Sequence, residues 1–311
     1  MIAAPGRPTL PRMLADPDHR TPADPDLSPP AADLHHALAV ATELGQAAAA
    51  EIARIYAEGF EVHHKADGSP VTRADAAAEA LIVAGLRAAF PADAVLGEET
   101  GRSGPPDAAR VWLVDPLDGT ADFAGRTDDF CAMIGLCVGG RPVLGVLAAP
   151  ALGRTWIGLV GHGAFELDAQ GRRRAVRLAE PMLEVRFGQT EPLHFVQSRS
   201  HPPAGLAERL AARLGAPARL TRRGSVGVKV GLVIAGEAHG YLHPQAGTSL
   251  WDCAGPEAVM VAAGGVFTQP DGQPIDYAAA CDAAAVRAGR HPDNPAGILA
   301  GPPGLCARLV A

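Results

Sequence analysis

The stretch from Val111 to Thr120 constrains the fold of this chain more than any other. It begins with four apolar residues, Val111 to Val114, a pattern typical of a buried strand. The strand is predicted to end at Asp115, because Pro116 has no N–H to donate to a sheet. The proline also favours a turn, so the carboxylates of Asp115 and Asp118 can point into the same space.

The chemistry of this turn follows from its two carboxylates. Held close together they repel each other, and one stays protonated unless a cation lies between them. A hard divalent cation that prefers oxygen ligands, above all Mg²⁺, is the natural partner. Gly119 leaves room for a phosphate to approach its N–H group, and Thr120 offers a hydroxyl. A surface turn built from the same residue types is the alternative at this point.

The whole chain sets wider limits on function. Its 311 residues can form one large domain or two tightly joined ones. The net charge of −7 argues against a nucleic acid polymer or a membrane surface as partner. No run of 18 apolar residues occurs, so no stable membrane insertion is predicted. Five cysteines without a paired spacing indicate a reducing compartment, and we predict a cytoplasmic protein.

Changes of pattern divide the chain into three parts. Residues 1–32 contain eight prolines and no periodic apolar pattern, which predicts a disordered tail. Residues 33–177 form a predicted N-terminal α+β lobe, in which apolar runs separated by glycine-rich turns from residue 130 onward indicate antiparallel hairpins. Residues 178–311 alternate between strand and helix patterns, as expected for a second α/β lobe.

Local signals place four acidic residues of the first lobe. Asp33 is predicted to cap a helix that runs to about Glu58. Thr72 and Asp75 have the spacing of a capping box at the start of a second helix. A short strand from Ala94 to Leu96 then delivers Glu98 and Glu99, whose side chains should point in opposite directions if the chain stays extended.

Four motifs, including those above, occur in the order found in a known enzyme superfamily. Thr72 to Asp75, Leu96 to Glu99, Asp115 to Thr120 and Leu250 to Asp252 together resemble the inositol monophosphatase superfamily of Mg²⁺-dependent, lithium-sensitive phosphomonoesterases. The resemblance extends from about residue 33 to about residue 277. It implies a mixed α+β and α/β architecture, the layered αβαβα sugar-phosphatase fold of two closely packed lobes.

The resemblance also implies a site. Two or three Mg²⁺ ions would be bound by the carboxylates of Glu98, Asp115, Asp118 and Asp252 and by the main-chain carbonyl of Leu117. Asp75 and Thr120 would orient and deprotonate the attacking water, which the metal activates. The N–H groups of Gly119 and Thr120 would hold phosphate oxygens. The partner is then a small phosphorylated molecule, and the resemblance allows a homodimer.

The choice of phosphate ester depends on the second lobe. Residues 67–72, 197–201, 224–229 and 241–244 are similar to the 3′(2′),5′-bisphosphate nucleotidase branch, which acts on a by-product of sulfate activation in sulfur assimilation. Ser225 at a helix start and Lys229 one turn later could hold a second phosphate; a capping serine and a solvated lysine are the alternative. Gly255, after Trp251 and Asp252, suggests a wider pocket. Two alternatives remain: an inositol-1-phosphate or other sugar-phosphate phosphatase, and an inactive binding or regulatory homologue.

Overall fold

The computed structural model describes residues 31–178, 192–283, 286 and 292–310. The predicted disordered tail therefore lies outside the described residues, apart from its last two positions. Those two belong to the first helix, α1 (Ala31–Glu58). Asp33 lies within the first turn of α1 rather than capping it, so that prediction is wrong: alanines 31 and 32 extend the helix, and the Asp33 carboxylate forms an ion pair with Arg110.

An eight-stranded sheet forms the centre of the first lobe. Its strands are β3 (Ala94–Gly97), β4 (Gly101–Ser103), β5 (Arg110–Asp118), β6 (Cys131–Val138), β7 (Arg141–Ala149), β8 (Arg154–Leu159), β9 (Gly163–Asp168) and β10 (Arg173–Val176). Their order is β10-β9-β8-β7-β6-β5-β3-β4. The meander from β5 to β10 is antiparallel, which confirms the predicted hairpins, and β3 pairs with β5 in parallel.

Strand β5 continues past the proline that was predicted to end it. Asp115 pairs with Met133 and Asp118 pairs with Cys131, so two residues of β5 lie opposite one residue of β6. This is a β-bulge, and it accommodates Pro116 because a bulged residue does not need to donate to the ladder. The bulge increases the local twist, and both acidic residues remain part of the sheet on either side of it.

Helices cover both faces of the large sheet. On one face α1 packs with α2 (Arg73–Ala89) against strands β5, β6 and β7. On the other face lie α5 (Val226–Ile234) and α6 (Trp251–Ala262). The four apolar residues that open β5 are all buried, with Trp112 and Val114 facing the first pair of helices and Val111 and Leu113 facing the second.

A five-stranded sheet forms the next layer. It contains β11 (Leu193–Ser198), β12 (Ala218–Arg223), β13 (Gly240–His243), β15 (Val266–Thr268) and β17 (Ile298–Gly301), in the order β12-β11-β13-β17-β15. Helices α4 (Leu206–Leu214) and α8 (Pro303–Val310) pack on its outer side. The layers therefore run helix, sheet, helix, sheet, helix, which confirms the predicted αβαβα architecture.

Short elements complete the described chain. A hairpin pairs β1 (His63–His64) with β2 (Pro70–Val71), and β14 (Thr248–Ser249) pairs with β16 (Asp293–Asn294). The short helices are α3 (Thr120–Ala124), α7 (Ala278–Cys281) and a 3-10 turn at Pro150–Leu152. One hydrophobic core joins residues from both predicted lobes, and the division at residue 177 stays a prediction. None of the helices described here is long and apolar enough to cross a bilayer.

Helix α6 approaches the large sheet very closely, and glycines make this possible. A Cβ atom on Gly145 would lie 2.2 Å from the carbonyl oxygen of Gly255, and one on Gly135 would lie 2.5 Å from the nitrogen of Gly255. Gly255 therefore faces strands β6 and β7. The predicted widening of the substrate pocket at Gly255 is wrong, because this glycine serves helix-to-sheet packing instead.

Candidate active site

One cleft is lined by residues from both predicted lobes. Glu98 follows β3, Asp118 ends β5, and Asp252 lies in the first turn of α6, and all three line it. Its other lining residues are Ser69, Pro70, Gly119, Thr120, Ala121, Asp122, Ser198, Ser200, His201, Gly224, Ser225, Val226, Lys229, Tyr241, His243, Gly247 and Thr248. The structure thus brings three of the four predicted carboxylate ligands and both predicted second-phosphate residues to the lining of the same cavity.

The predicted catalytic pair is in direct contact. The Thr120 hydroxyl lies 3.0 Å from Asp75 Oδ1 and also 3.0 Å from the carbonyl oxygen of Leu117. The other carboxylate oxygen of Asp75 accepts hydrogen bonds from the N–H and the hydroxyl of Thr72, each at 2.8 Å. This confirms the capping box, which fixes the Asp75 carboxylate. Burial raises the pKa of Asp75 above its ordinary value, against the effect of these hydrogen bonds.

Glu98 and Glu99 do not point in opposite directions as predicted. Both carboxylates bind the same ammonium group, with Lys65 Nζ 2.9 Å from Glu98 Oε1 and 2.5 Å from Glu99 Oε1. The prediction assumed an extended chain, but β3 ends at Gly97 and both glutamates lie in the turn that follows. The N–H of Glu99 donates to the buried carboxylate of Glu79, which fixes the turn. Burial raises the pKa of Glu98, and Lys65 opposes that shift.

Asp115 is buried beside Asp252. The two carboxyl groups are close enough that each affects the pKa of the other. Burial raises the pKa of Asp115 well above its usual range, and the charges of Glu98, Asp118 and Asp252 raise it further. Burial, followed by the charge of Asp118, likewise raises the pKa of Asp252 well above its usual range. The four carboxyl groups therefore form one repelling set.

Asp118 is held by the start of helix α5. Its Oδ2 accepts a hydrogen bond from the Ser225 hydroxyl at 2.7 Å and further bonds from the N–H groups of Val226 and Gly227. Ser225 also caps α5 by accepting from the N–H of Val228 at 3.2 Å, so the serine is a cap as the alternative reading proposed. Burial raises the pKa of Asp118, and the charge of Lys229 is the largest opposing effect.

Lys229 is not a solvated surface lysine. The side chain is only 3% exposed, its ammonium group donates to the carbonyl of Gly224 at 2.7 Å, and it lies 5.1 Å from the centre of the Tyr241 ring. Burial lowers its pKa to about 8, although Asp118 and other carboxylates favour the charged form. A buried ammonium group beside a cleft is a strong candidate for binding an anion.

Gly119 is required where the chain turns from β5 into α3. Its φ angle is +91°, and a Cβ atom there would lie 2.7 Å from the carbonyl oxygen of Asp129. The same Cβ atom would lie 3.3 Å from the nitrogen of Ser225. The glycine therefore lets the end of the first sheet meet the start of α5, beside which Thr120 begins α3.

Sequence reasoning missed the residues that hold the two sides of the cleft together. Arg199, which follows β11, forms ion pairs with the buried carboxylates of Asp122 and Asp129 on the other side. Lys65 was also missed, although it binds Glu98. Arg199 belongs to the stretch 197–201 that resembles the nucleotidase branch, but no role was predicted for it or for Lys65, because a lone lysine or arginine in a turn has the same pattern as solvated surface charge.

The donor set fits a divalent cation, although no group of three or more His, Cys, Asp or Glu side chains in the described ranges is already arranged around one ion. Each predicted carboxylate ligand has a protein partner, namely Lys65, the N–H of Leu117, the start of α5, or the N–H of Ser249. Four acidic groups with raised pKa values nevertheless offer the oxygen ligands that Mg²⁺ prefers, and a cation among them would offset their repulsion.

Comparisons with known proteins agree with this geometry. A sequence profile of the inositol monophosphatase family matches residues 33–299. The chain is 36% identical over 240 residues to the 3′(2′),5′-bisphosphate nucleotidase CysQ of Escherichia coli, covering 76% of this chain and 91% of the relative. It is 33% identical over 247 residues to a histidinol-phosphatase of Streptomyces coelicolor, covering 78% and 87%.

A solved structure shows the same fold. CysQ from Bacteroides thetaiotaomicron, described as a bacterial member of the inositol monophosphatase family, superimposes with a TM-score of 0.67 at 26% identity, over 86% of this chain and 97% of the other. The match to the family profile covers most of the chain, and it includes every residue that the motifs singled out. This chain therefore belongs to the inositol monophosphatase family and is a phosphoric monoester hydrolase.

Proposed function

We propose that this protein is a Mg²⁺-dependent 3′(2′),5′-bisphosphate nucleotidase that converts adenosine 3′,5′-bisphosphate to AMP. One observation carries the proposal: the same cleft contains the acidic group of Glu98, Asp118 and Asp252 and the buried ammonium group of Lys229. A substrate with two phosphates would use both parts of the cleft. The similarity to CysQ, which is named for this activity, supports the same substrate.

The residues proposed to hold Mg²⁺ are Glu98, Asp115, Asp118 and Asp252, together with the carbonyl of Leu117. When bound, the cation would supply positive charge that stabilises the transferred phosphoryl group and the leaving oxygen. The presence of two or three ions remains a prediction.

Asp75 and Thr120 have the geometry to handle the proton of the attacking water. The Thr120 hydroxyl donates to Asp75, so the lone pairs of its oxygen are free to accept a hydrogen bond from water. The proton released in the attack can then pass to Asp75. Burial raises the pKa of this carboxylate, which makes it a better proton acceptor than a solvated aspartate.

The decisive experiment is a panel of substrates with Mg²⁺ present. Adenosine 3′,5′-bisphosphate, adenosine 3′-monophosphate, inositol 1-phosphate and histidinol phosphate are compared by phosphate release. We expect kcat/KM for the bisphosphate to exceed that for the inositol and histidinol esters by at least about tenfold. If either of those esters is cleaved about tenfold faster than the bisphosphate, the nucleotidase proposal is wrong.

A variant of the lysine tests the role of the second phosphate. Lys229→Met keeps an apolar stem of similar length in the buried position and removes the charge. We expect at least about a tenfold loss of kcat/KM for the bisphosphate and little change for adenosine 3′-monophosphate, which lacks the 5′-phosphate. An equal loss for both nucleotides would instead mean that Lys229 acts through Asp118.

Histidinol phosphate is the second candidate substrate. The observation in its favour is the similarity to the Streptomyces histidinol-phosphatase, which nearly equals the similarity to CysQ. Inositol 1-phosphate or another sugar phosphate remains the alternative drawn from the sequence. We also propose a cytoplasmic location, and the homodimer is tested by analytical ultracentrifugation.

A further inference from the structure

His243 is a buried polar side chain whose role the proposed reaction does not yet explain. It ends strand β13, and its side chain is 2% exposed. Neither ring nitrogen has a hydrogen-bond partner among the described residues. Buried polar groups are nearly always paired, because losing their hydration without a replacement is costly.

The ring nevertheless lines the active-site cleft. Tyr241 and His243 are two positions apart on one strand, so their side chains lie on the same face of the small sheet. Both line the cavity that also contains Lys229 and His201. Gly247 lines it as well, and a Cβ atom there would be 3.8 Å from His243 Nε2. The unpaired nitrogens are therefore next to the space that a substrate enters.

The ring is uncharged at neutral pH. Burial lowers the pKa of His243 to about 4, and Lys229 and His201 lower it further. The backbone of Ala246 opposes the shift weakly, although it does not meet hydrogen-bond geometry with either ring nitrogen. A neutral imidazole offers one N–H donor and one acceptor. This suits an uncharged group better than a phosphate, which only accepts and for which Lys229 is available.

We propose that His243 binds the nucleoside part of the substrate, through a hydrogen bond to a ribose hydroxyl or to a nitrogen of the base. The proposal rests on the nucleotidase function proposed above and gives His243 a role in selecting nucleotides over other phosphate esters. Water in the cleft can satisfy the ring in the free protein, and the substrate displaces that water on binding. His243 then contributes to binding and does not take part in the proton transfer.

The test compares His243→Phe with the wild type on three substrates. Adenosine 3′,5′-bisphosphate and adenosine 3′-monophosphate both contain the nucleoside, whereas 4-nitrophenyl phosphate does not. We expect kcat/KM to fall by at least about tenfold for both nucleotides, mainly through KM, and to stay within about twofold for 4-nitrophenyl phosphate. Lys229→Met is measured beside it, and its loss for adenosine 3′,5′-bisphosphate should exceed its loss for adenosine 3′-monophosphate, whereas the loss in His243→Phe should be the same for both nucleotides.

Stability provides a second readout that separates binding from a structural role. Replacing a buried polar ring that has no protein partner by an apolar one should leave the melting temperature of the free protein unchanged or raise it. The proposal is overturned if the melting temperature falls by more than about 5 °C. It is also overturned if kcat/KM falls for all three substrates, falls for the bisphosphate alone, or does not fall at all. His243→Gln, which keeps a donor and an acceptor, should recover part of the nucleotide activity.

One measurement on the wild type completes the test. If the Phe variant does not fold, ¹⁵N NMR of the imidazole is followed while AMP is added, with inorganic phosphate as the control. A change of the His243 ring signals with AMP and not with phosphate supports the proposal, and the absence of such a change overturns it. The nucleotidase function is tested separately: it is wrong if the wild type prefers inositol or histidinol phosphate as substrate. The His243 assignment is wrong if AMP does not change the ring signals.

Discussion

Asp75 has two tasks in this structure, and a single substitution can separate them. One carboxylate oxygen accepts from the N–H and the hydroxyl of Thr72 and so caps helix α2, while the other accepts from Thr120. In Asp75→Asn the amide oxygen can keep both bonds to Thr72. The amide nitrogen then faces Thr120 as a donor, so the hydroxyl of Thr120 must turn toward the carbonyl of Leu117, which is 3.0 Å away.

The expected result is therefore loss of activity without loss of the fold. The cap is largely kept, so we expect a cost of at most about 1 kcal/mol, or a few degrees in melting temperature. The path for the proton is broken, and kcat should fall by about 10²–10⁴, the usual contribution of a positioned general base. Phosphate release and differential scanning calorimetry measure the two effects independently.

The control is Thr72→Ala, which removes the capping hydroxyl and leaves the carboxylate in place. It should cost about 0.5–2 kcal/mol of stability and keep activity within about tenfold of the wild type. The reasoning is refuted if Asp75→Asn keeps more than about a tenth of the wild-type kcat. It is also refuted if Thr72→Ala loses as much activity as Asp75→Asn, because the carboxylate would then serve only the helix.

Three further substitutions test other parts of the structure. Asp115→Asn should lose more than about 100-fold in activity because it alters a proposed Mg²⁺ ligand, while calorimetry should find the melting temperature within a few degrees because a neutral amide is not repelled by Glu98, Asp118 and Asp252. Glu257 is half-buried by surface area, and desolvation raises its pKa to about 7, so its stabilising contribution is complete below its ordinary pKa of 4.5 and is lost as the pH rises through 7. Urea unfolding of Glu257→Gln should therefore lack a decline of roughly 3 kcal/mol between those pH values, and an unchanged decline would contradict the assignment. Gly119→Ala should lower the free energy of unfolding by at least about 1–2 kcal/mol, because its φ is positive and the new Cβ would meet the carbonyl of Asp129; an unchanged urea midpoint would contradict this.

The sequence by itself determined the features that depend on neighbouring residues. The apolar run before Asp115 had to be a buried strand, and the spacing of Thr72 and Asp75 set the start of a helix. Glycine-rich turns between apolar runs fixed the antiparallel hairpins. The motifs around Glu98, Asp118 and Asp252 indicated the family, because each carries its chemistry within a few residues.

The tertiary structure decided everything that depends on distant partners. Pro116 does not end β5 because strand β6 tolerates a bulge there. Glu98 and Glu99 share Lys65, which comes from a hairpin more than 30 residues earlier in the chain. Lys229 is buried, whereas the sequence left open whether it is solvated or holds a phosphate. Solvation and ion pairing are set by the whole fold and not by local pattern, so only the packed molecule shows which charged groups lie in water and which lie beside the substrate.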